Sequence, residues 1–258
     1  MKRWLFFSYG LACYVLFFGV YAFAAGFVGD FLVPQSIDSP SGGPIGPAVM
    51  VNLLLLAMFG LQHSVMARPA FKRVWTRLVP QAIERSTYML ASCVALGLLM
   101  WAWRGIDVVV WNIHQPAFRG LAWALFAMGW LAVPAVSLLI NHFDLFGIRQ
   151  VWLNLRDQPY TALPFRTPLV YKHVRHPLYL GWALAFWATP TMTLGHLLFA
   201  VVLTLYMAVA AVFEERDLVA HFGRQYADYR RRVPMFMPRL AMRRDVAARL
   251  VADSSCQP

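Results

Sequence analysis

Two short clusters hold most of the residue types that could do chemistry in this chain. They are Tyr171-Lys172-His173-Val174-Arg175-His176-Pro177-Leu178-Tyr179 and Glu214-Glu215-Arg216-Asp217. Between them, residues 177–213 run for 37 positions without Asp, Glu, Lys or Arg. If that apolar run turns back on itself, its two ends meet at one surface. The result is a compact site of mixed charge, with carboxylates for a cationic group, cations for an anionic one, imidazoles for proton transfer, and an apolar interior behind it. A plainer account has Lys172, Arg175 and Arg216 anchoring helix ends at an interface and pairing with the two glutamates. His173 and His176 stand at i, i+3 and could share a metal, but they sit beside Lys172 and Arg175 with no obvious third ligand, so no metal site is expected. Cys13, Cys93 and Cys256 show no CxxC or other metal spacing, and no structural disulfide is expected.

The elements that must position these clusters are membrane helices. Of the 258 residues 60% are hydrophobic and 14% charged, and the mean hydropathy is +0.54, whereas soluble domains carry roughly 25% charged residues. Apolar runs long enough to cross a bilayer, about 20 residues each, dominate the chain. Candidate spans cover about Trp4–Val33, Ala48–Ala67, Ser86–Trp103 and Leu121–Leu139, the last with Pro134 as a kink point. A cleaved signal peptide ending near Ala22-Phe23-Ala24 is disfavoured, because signal cores hold only ~7–15 apolar residues and this run is about twice as long.

Residues 68–85 place Phe71, Val74, Trp75 and Leu78 at helical spacing and read as an interfacial amphipathic helix. Residues 142–175 read as a structured excursion that Pro159, Pro164 and Pro168 keep from forming a long helix. The 177–213 run suits two short spans joined by a turn at Thr189-Pro190-Thr191, giving six in all; one tilted helix with a re-entrant piece would give five. The fold class expected is therefore an all-α, polytopic integral membrane helical bundle. It forms one integrated domain, with an N-terminal four-helix transmembrane region over 1–141 and a C-terminal region over 142–258 made of the excursion, the helical hairpin and a basic tail.

Charge tests that layout. With the N-terminus, 68–85, 142–176 and everything after Phe213 on one side, 21 of the 23 Lys and Arg residues gather there and only Arg104 and Arg119 do not. The positive-inside rule then puts both termini in the cytoplasm. The formal charge of +11 is thus mostly topology, and no nucleic-acid partner is expected. Arg230-Arg231-Arg232 and the arginines from Arg239 to Arg249 suit anionic lipid headgroups. The glycine-rich Ser41-Gly42-Gly43-Pro44-Ile45-Gly46 follows no strand, is expected to open no helix, and lies on the side away from the charged clusters, so it is not a nucleotide-binding turn.

The clusters also carry a resemblance. Tyr171, Arg175, His176, Pro177, Tyr179 and Gly181, then the apolar hairpin, then Glu214, Glu215 and Leu218, then Phe222, Gly223, Tyr226 and Tyr229, form a pattern similar to the isoprenylcysteine carboxyl methyltransferase group of integral membrane enzymes. Gln62 through Arg68, Glu84 through Tyr88 and Asn141 through Gly147 resemble its nurim-related branch. Within that branch the run from Arg149-Gln150 through Pro159-Tyr160 into Arg175-His176-Pro177 closely resembles the bacterial methanethiol S-methyltransferases, which extends the resemblance to nearly the full length.

The resemblance implies an inner-membrane enzyme that methylates a small volatile thiol, methanethiol giving dimethyl sulfide, with hydrogen sulfide as a further acceptor. It implies S-adenosylmethionine as cofactor, held on the C-terminal hairpin by Tyr171, Arg175, His176, Pro177, Leu178, Tyr179, Glu214 and Glu215, with 163–166 alongside and Glu214 facing the ammonium group. Membrane lipid is the other partner implied, and no obligatory protein partner is evident. Ala210 stands where the isoprenylcysteine enzymes carry an arginine for the substrate carboxylate, which weakens a carboxylate-methylating role. The acceptor reacts best as thiolate, and His63, His142 and His173 are all candidates for its base, whereas His114 and His196 fall on the other side of the membrane. A phospholipid-amine or prenylcysteine acceptor, a non-enzymatic nurim-like protein, and a haem or metal carrier remain as alternatives.

Overall fold

A computed structural model describes residues 1–237. Five helices are long and apolar enough to cross a membrane: α1 (Lys2–Gly29), α2 (Ile45–Ala67), α4 (Gln81–Ala102), α5 (Pro116–Ile140) and α9 (Leu194–Phe222). The chain is an integral membrane protein of the helical kind. The shorter elements are α3 (Pro69–Trp75), α6 (His142–Leu145), α7 (Ile148–Leu155), a 3-10 turn (Leu169–Lys172), α8 (Pro177–Trp187) and α10 (Arg224–Arg232), with two short strands, β1 (Val109–Asn112) and β2 (Thr191–Thr193). Cys256 and the arginines from Arg239 to Arg249 lie outside the described residues.

The 177–213 hairpin is asymmetric. In place of two short spans it holds an 11-residue helix, α8, and the 29-residue α9. At 1.5 Å per residue α8 covers only about 16 Å. Residues 188–190, with a tight turn at Ala188 where Thr189 N donates to Trp187 O at 3.0 Å, complete the passage to β2, which pairs antiparallel with β1. β1 lies in the turn between α4 and α5, so the α8–α9 turn is at the end of the bundle away from His176 and Glu215. The strand pair has no signal in hydropathy, because backbone pairing at a loop needs no apolar pattern.

Three loops meet at that far end. Gln35 Nε2 donates to Trp103 O at 2.9 Å, Asn52 Nδ2 to Arg104 O at 2.7 Å, and Thr193 Oγ1 to Asp38. The glycine-rich segment does open a helix, since α2 starts at Ile45, but it is at this end and takes no part in the clusters. The opposite end gathers the N-terminus, 68–80, 141–176 and residues 223–237, so the described segments carrying most of the basic charge share one face. There α3 and the turn after it leave Val74 and Leu78 exposed, as an interfacial segment does, although α4 already begins at Gln81 and takes Glu84 and Arg85 with it.

Close packing fixes α8 against α5. A Cβ on Gly129 would stand 2.5 Å from Ala185 N and 2.9 Å from Gly181 O. The two backbones touch there, as small residues permit between membrane helices. Aromatic rings fill the centre, where Phe27, Trp103, Phe126, Trp130, Phe186 and Phe199 form one buried cluster.

Candidate functional site

Because α8 and α9 are antiparallel, the residues before α8 face the last turns of α9. Glu215, 4% exposed, accepts from Arg175 Nε at 2.6 Å and lies 3.0 Å from His176 Nε2. Arg175 Nη1 donates in addition to the carbonyls of Arg230, at 2.9 Å, and Val233. A buried carboxylate is tolerated only when paired and hydrogen-bonded, and here one carboxylate holds two bases from the adjoining strand of chain. The segment after α10 closes over it: Arg175 N donates to Pro234 O at 3.0 Å and His176 N to Met235 O at 3.2 Å. Glu215 and Arg175 are thus the clasp of the site.

Glu214 differs in kind. Its side chain is 48% exposed, and Tyr179 Oη donates to its Oε2 at 2.8 Å. The Tyr179 ring lies parallel to that of His176, with centroids 5.2 Å apart and 12° between planes. His176 Nδ1 is 3.8 Å from the same Glu214 oxygen. One glutamate is buried, and its neighbour, one position along the helix, holds a half-exposed carboxylate.

An aromatic wall stands beside it. Phe165 meets Phe222, Tyr226 and Tyr229 at centroid distances of 5.3–5.7 Å, and Tyr229 Oη donates to Tyr171 O at 2.6 Å. Burial, then the neighbouring Glu214 and Tyr229, push the Tyr171 hydroxyl above its usual range, and burial raises Tyr229 to about 12. Both stay neutral donors at ordinary pH. Lys172 and His173 are exposed at the rim, while Pro177 and Leu178 open α8 beneath the rings.

All eight residues singled out around the hairpin therefore come together. The three histidines do not. His142 is buried, with Tyr14 Oη 2.6 Å from Nε2, Ser137 Oγ 2.7 Å from Nδ1, and Phe143 and Phe146 against its ring. His173 is on the exposed rim, and His63 sits on α2 against Tyr88 and Ser92 of α4. His196 lies at the far end, where Nε2 meets Phe186 O at 2.9 Å. Pro234, Met235 and Phe236 were not legible as site residues, since only backbone contacts recruit the first two. Among the described residues no group of three or more His, Cys, Asp or Glu is arranged to hold a metal ion.

An S-adenosylmethionine molecule needs a carboxylate for its ammonium, donors for its own carboxylate and an aromatic or apolar slot. The half-exposed Glu214, the exposed Lys172 and the Phe165–Tyr171–Tyr179 surface are of these types, so the residues fit the group.

The NnrU protein family model matches residues 51–250. Over 238 residues, 92% of this chain and 98% of the relative, the sequence is 55% identical to a methanethiol S-methyltransferase of Mycobacterium tuberculosis. It is 53% identical over 239 residues to methanethiol S-methyltransferase 2 of Bradyrhizobium diazoefficiens, covering 92% of this chain and 91% of the relative. A more distant match, 31% identical over 194 residues, covers 72% of this chain and 70% of nurim from Danio rerio. No solved structure matches significantly.

Proposed function

Because the chain belongs to the NnrU family, we propose that it is a membrane methyltransferase that methylates methanethiol to dimethyl sulfide, with S-adenosylmethionine as donor and hydrogen sulfide as a further acceptor. The near-full-length match to methanethiol S-methyltransferases carries this reading. The meeting of the two charged clusters at one end of the bundle supports it. In this reading both termini face the cytoplasm, where the cofactor is made, and the protein lies in the inner membrane.

Bound S-adenosylmethionine supplies a methyl group on a positively charged sulfur, and transfer to another sulfur is a single in-line displacement. The protein's task is then to position the partners and exclude water. Glu214 holds the ammonium, kept in place by the Tyr179 hydroxyl. His176, fixed by Glu215, supports the Tyr179 ring from behind. Tyr171, Pro177 and Leu178 line the slot, and Arg175 closes it by tying α8, α9 and the segment after α10 together. An uncharged acceptor needs no counter-ion, in keeping with Ala210 on α9. The base for the acceptor is one of His63, His142 and His173.

Headspace gas chromatography of cells expressing the protein and fed methanethiol tests the reaction. Dimethyl sulfide above an empty-vector control is expected; none would overturn the assignment. Calorimetric binding of S-adenosylmethionine to purified protein separates an enzyme from a non-enzymatic nurim-like protein.

A further inference from the structure

Between α2, α4 and α9 runs a seam of polar side chains that the two clusters do not include. Gln62, His63 and Ser64 come from the last turns of α2, Tyr88 and Ser92 from one face of α4, and Tyr206 from α9. Gly60 makes room for the Tyr206 ring, two carbons of which would lie 3.4 Å from an added Cβ. Tyr206 Oη then reaches Ser64 Oγ at 2.9 Å. Polar groups inside a membrane bundle are costly and mark function more often than packing.

The hydrogen bonds decide which nitrogen of His63 is basic. Ser92 Oγ donates to Tyr88 O at 3.0 Å, so towards His63 Nδ1, 3.2 Å away, it acts as acceptor and Nδ1 carries the proton. The Tyr88 hydroxyl is 3.0 Å from both ring nitrogens, over the ring face, and with Nδ1 a donor only Nε2 has a lone pair free for its proton. The Tyr88 oxygen is left with lone pairs to offer a third group. Tyr206 lies on α9 eight residues, about 12 Å, before Glu214, to which Tyr179 is bonded. The Arg85 guanidinium lies 5.3 Å from the Tyr88 ring centroid. Gln62 Oε1 is a buried acceptor without a protein partner among the described residues, which is costly unless a ligand meets it. His142 has a similar Tyr–Ser pairing, but Tyr14, Phe143 and Phe146 enclose its ring; His173 is exposed.

We propose that Gln62, His63 and Tyr88 form the acceptor-thiol site, with the Tyr88 hydroxyl relaying the thiol proton to His63; this rests on the methanethiol reading above. The S–H bond breaks as its proton passes to the Tyr88 oxygen while the hydroxyl's own proton passes to His63 Nε2. The sulfur keeps the electron pair and spends it on the new S–CH3 bond, and the electrons of the broken CH3–S bond stay with the donor sulfur and neutralise it. His63 later releases the proton to solvent. Arg85 offsets the transient negative charge. Gln62 Oε1 accepts the S–H of the entering thiol before that proton turns to the Tyr88 oxygen, a contact that dimethyl sulfide, with no S–H, cannot make, so the product is released. Tyr88 touches the acceptor and is catalytic, and Ser92 is a positioning residue acting through the His63 tautomer.

The test uses purified full-length protein, S-adenosylmethionine, and two acceptors: methanethiol and thiophenol, an acidic thiol that is largely ionised already at neutral pH. Removing a relay of this kind costs about 100-fold or more. Tyr88→Phe should lose that factor with methanethiol at pH 7, recover as pH rises and the acceptor ionises unaided, stay near wild type with thiophenol, and bind S-adenosylmethionine unchanged. Should thiophenol prove too large to enter, the pH dependence decides alone. Should Tyr88→Phe fail to bind cofactor, His63→Asn is read in its place with the same expected pattern. Wild-type turnover of methanethiol by the variant, or a loss equal at every pH with cofactor binding intact, overturns the relay alone. A wild-type protein inert toward methanethiol overturns the function and this site with it.

Discussion

Glu214 and Glu215 are adjacent on α9, yet their substitutions should have opposite effects. Glu215 and Arg175 have side chains 5% and 9% exposed, with 2.6 Å between Oε1 and Nε. Glu215→Ala leaves the Arg175 charge buried and unpaired, and breaking such a pair costs about 3–5 kcal/mol. For a chain of this size 1 kcal/mol shifts Tm by ~2–4 °C, so a drop of roughly 6–20 °C is expected in a thermal-shift assay of detergent-solubilised protein. Glu214 is half exposed, and its side-chain contacts are the Tyr179 hydroxyl bond and the 3.8 Å approach of His176 Nδ1. Glu214→Gln should leave Tm within a few degrees and weaken S-adenosylmethionine. A hydrogen bond to a charged group is worth about 1.5–3 kcal/mol, and solvent screening puts this one at the lower end, a Kd raised ~10-fold by calorimetry. Equal Tm losses in the two variants, or full cofactor affinity in Glu214→Gln, would refute the division of labour drawn here.

Gly129→Val places a side chain 2.5 Å from Ala185 N and should abolish folded protein, read as loss of the monodisperse peak in size-exclusion chromatography. His142→Ala removes both ring bonds in a buried site, about 1–3 kcal/mol for the partners left unmet; Tm should fall while the pH dependence of turnover is unchanged. His173→Ala, on the exposed rim, should keep methanethiol turnover within about 2-fold of wild type, as surface changes of ±0.5 kcal/mol do. Tyr229→Phe deletes the bond to Tyr171 O and should cost about 1 kcal/mol of stability without changing which thiol is used.

Much of the fold was legible because a bilayer imposes length and polarity on whatever crosses it. The five long helices, the sharing of one end by the basic segments and the meeting of the two charged clusters all follow from runs of apolar residues and where they stop. The hairpin's asymmetry did not follow, because α8 stops at Trp187 just before β2 pairs with the distant β1, and no one-dimensional pattern records such a contact. The β1–β2 pair and the clamp from Pro234 and Met235 are backbone contacts, available to almost any side chain, and so leave no mark on composition.

The sequence by itself determined that this is a polytopic membrane protein with one basic face, that Arg175, His176, Glu214 and Glu215 converge, and that the pattern they form resembles membrane methyltransferases. Only the tertiary structure separated the two glutamates, burying one against Arg175 and turning the other to the opening, and set His63 beside Tyr88 while enclosing His142. Adjacent helical positions point about 100° apart, and which direction meets protein and which meets solvent is decided by the neighbouring helices, whose contacts no single segment encodes.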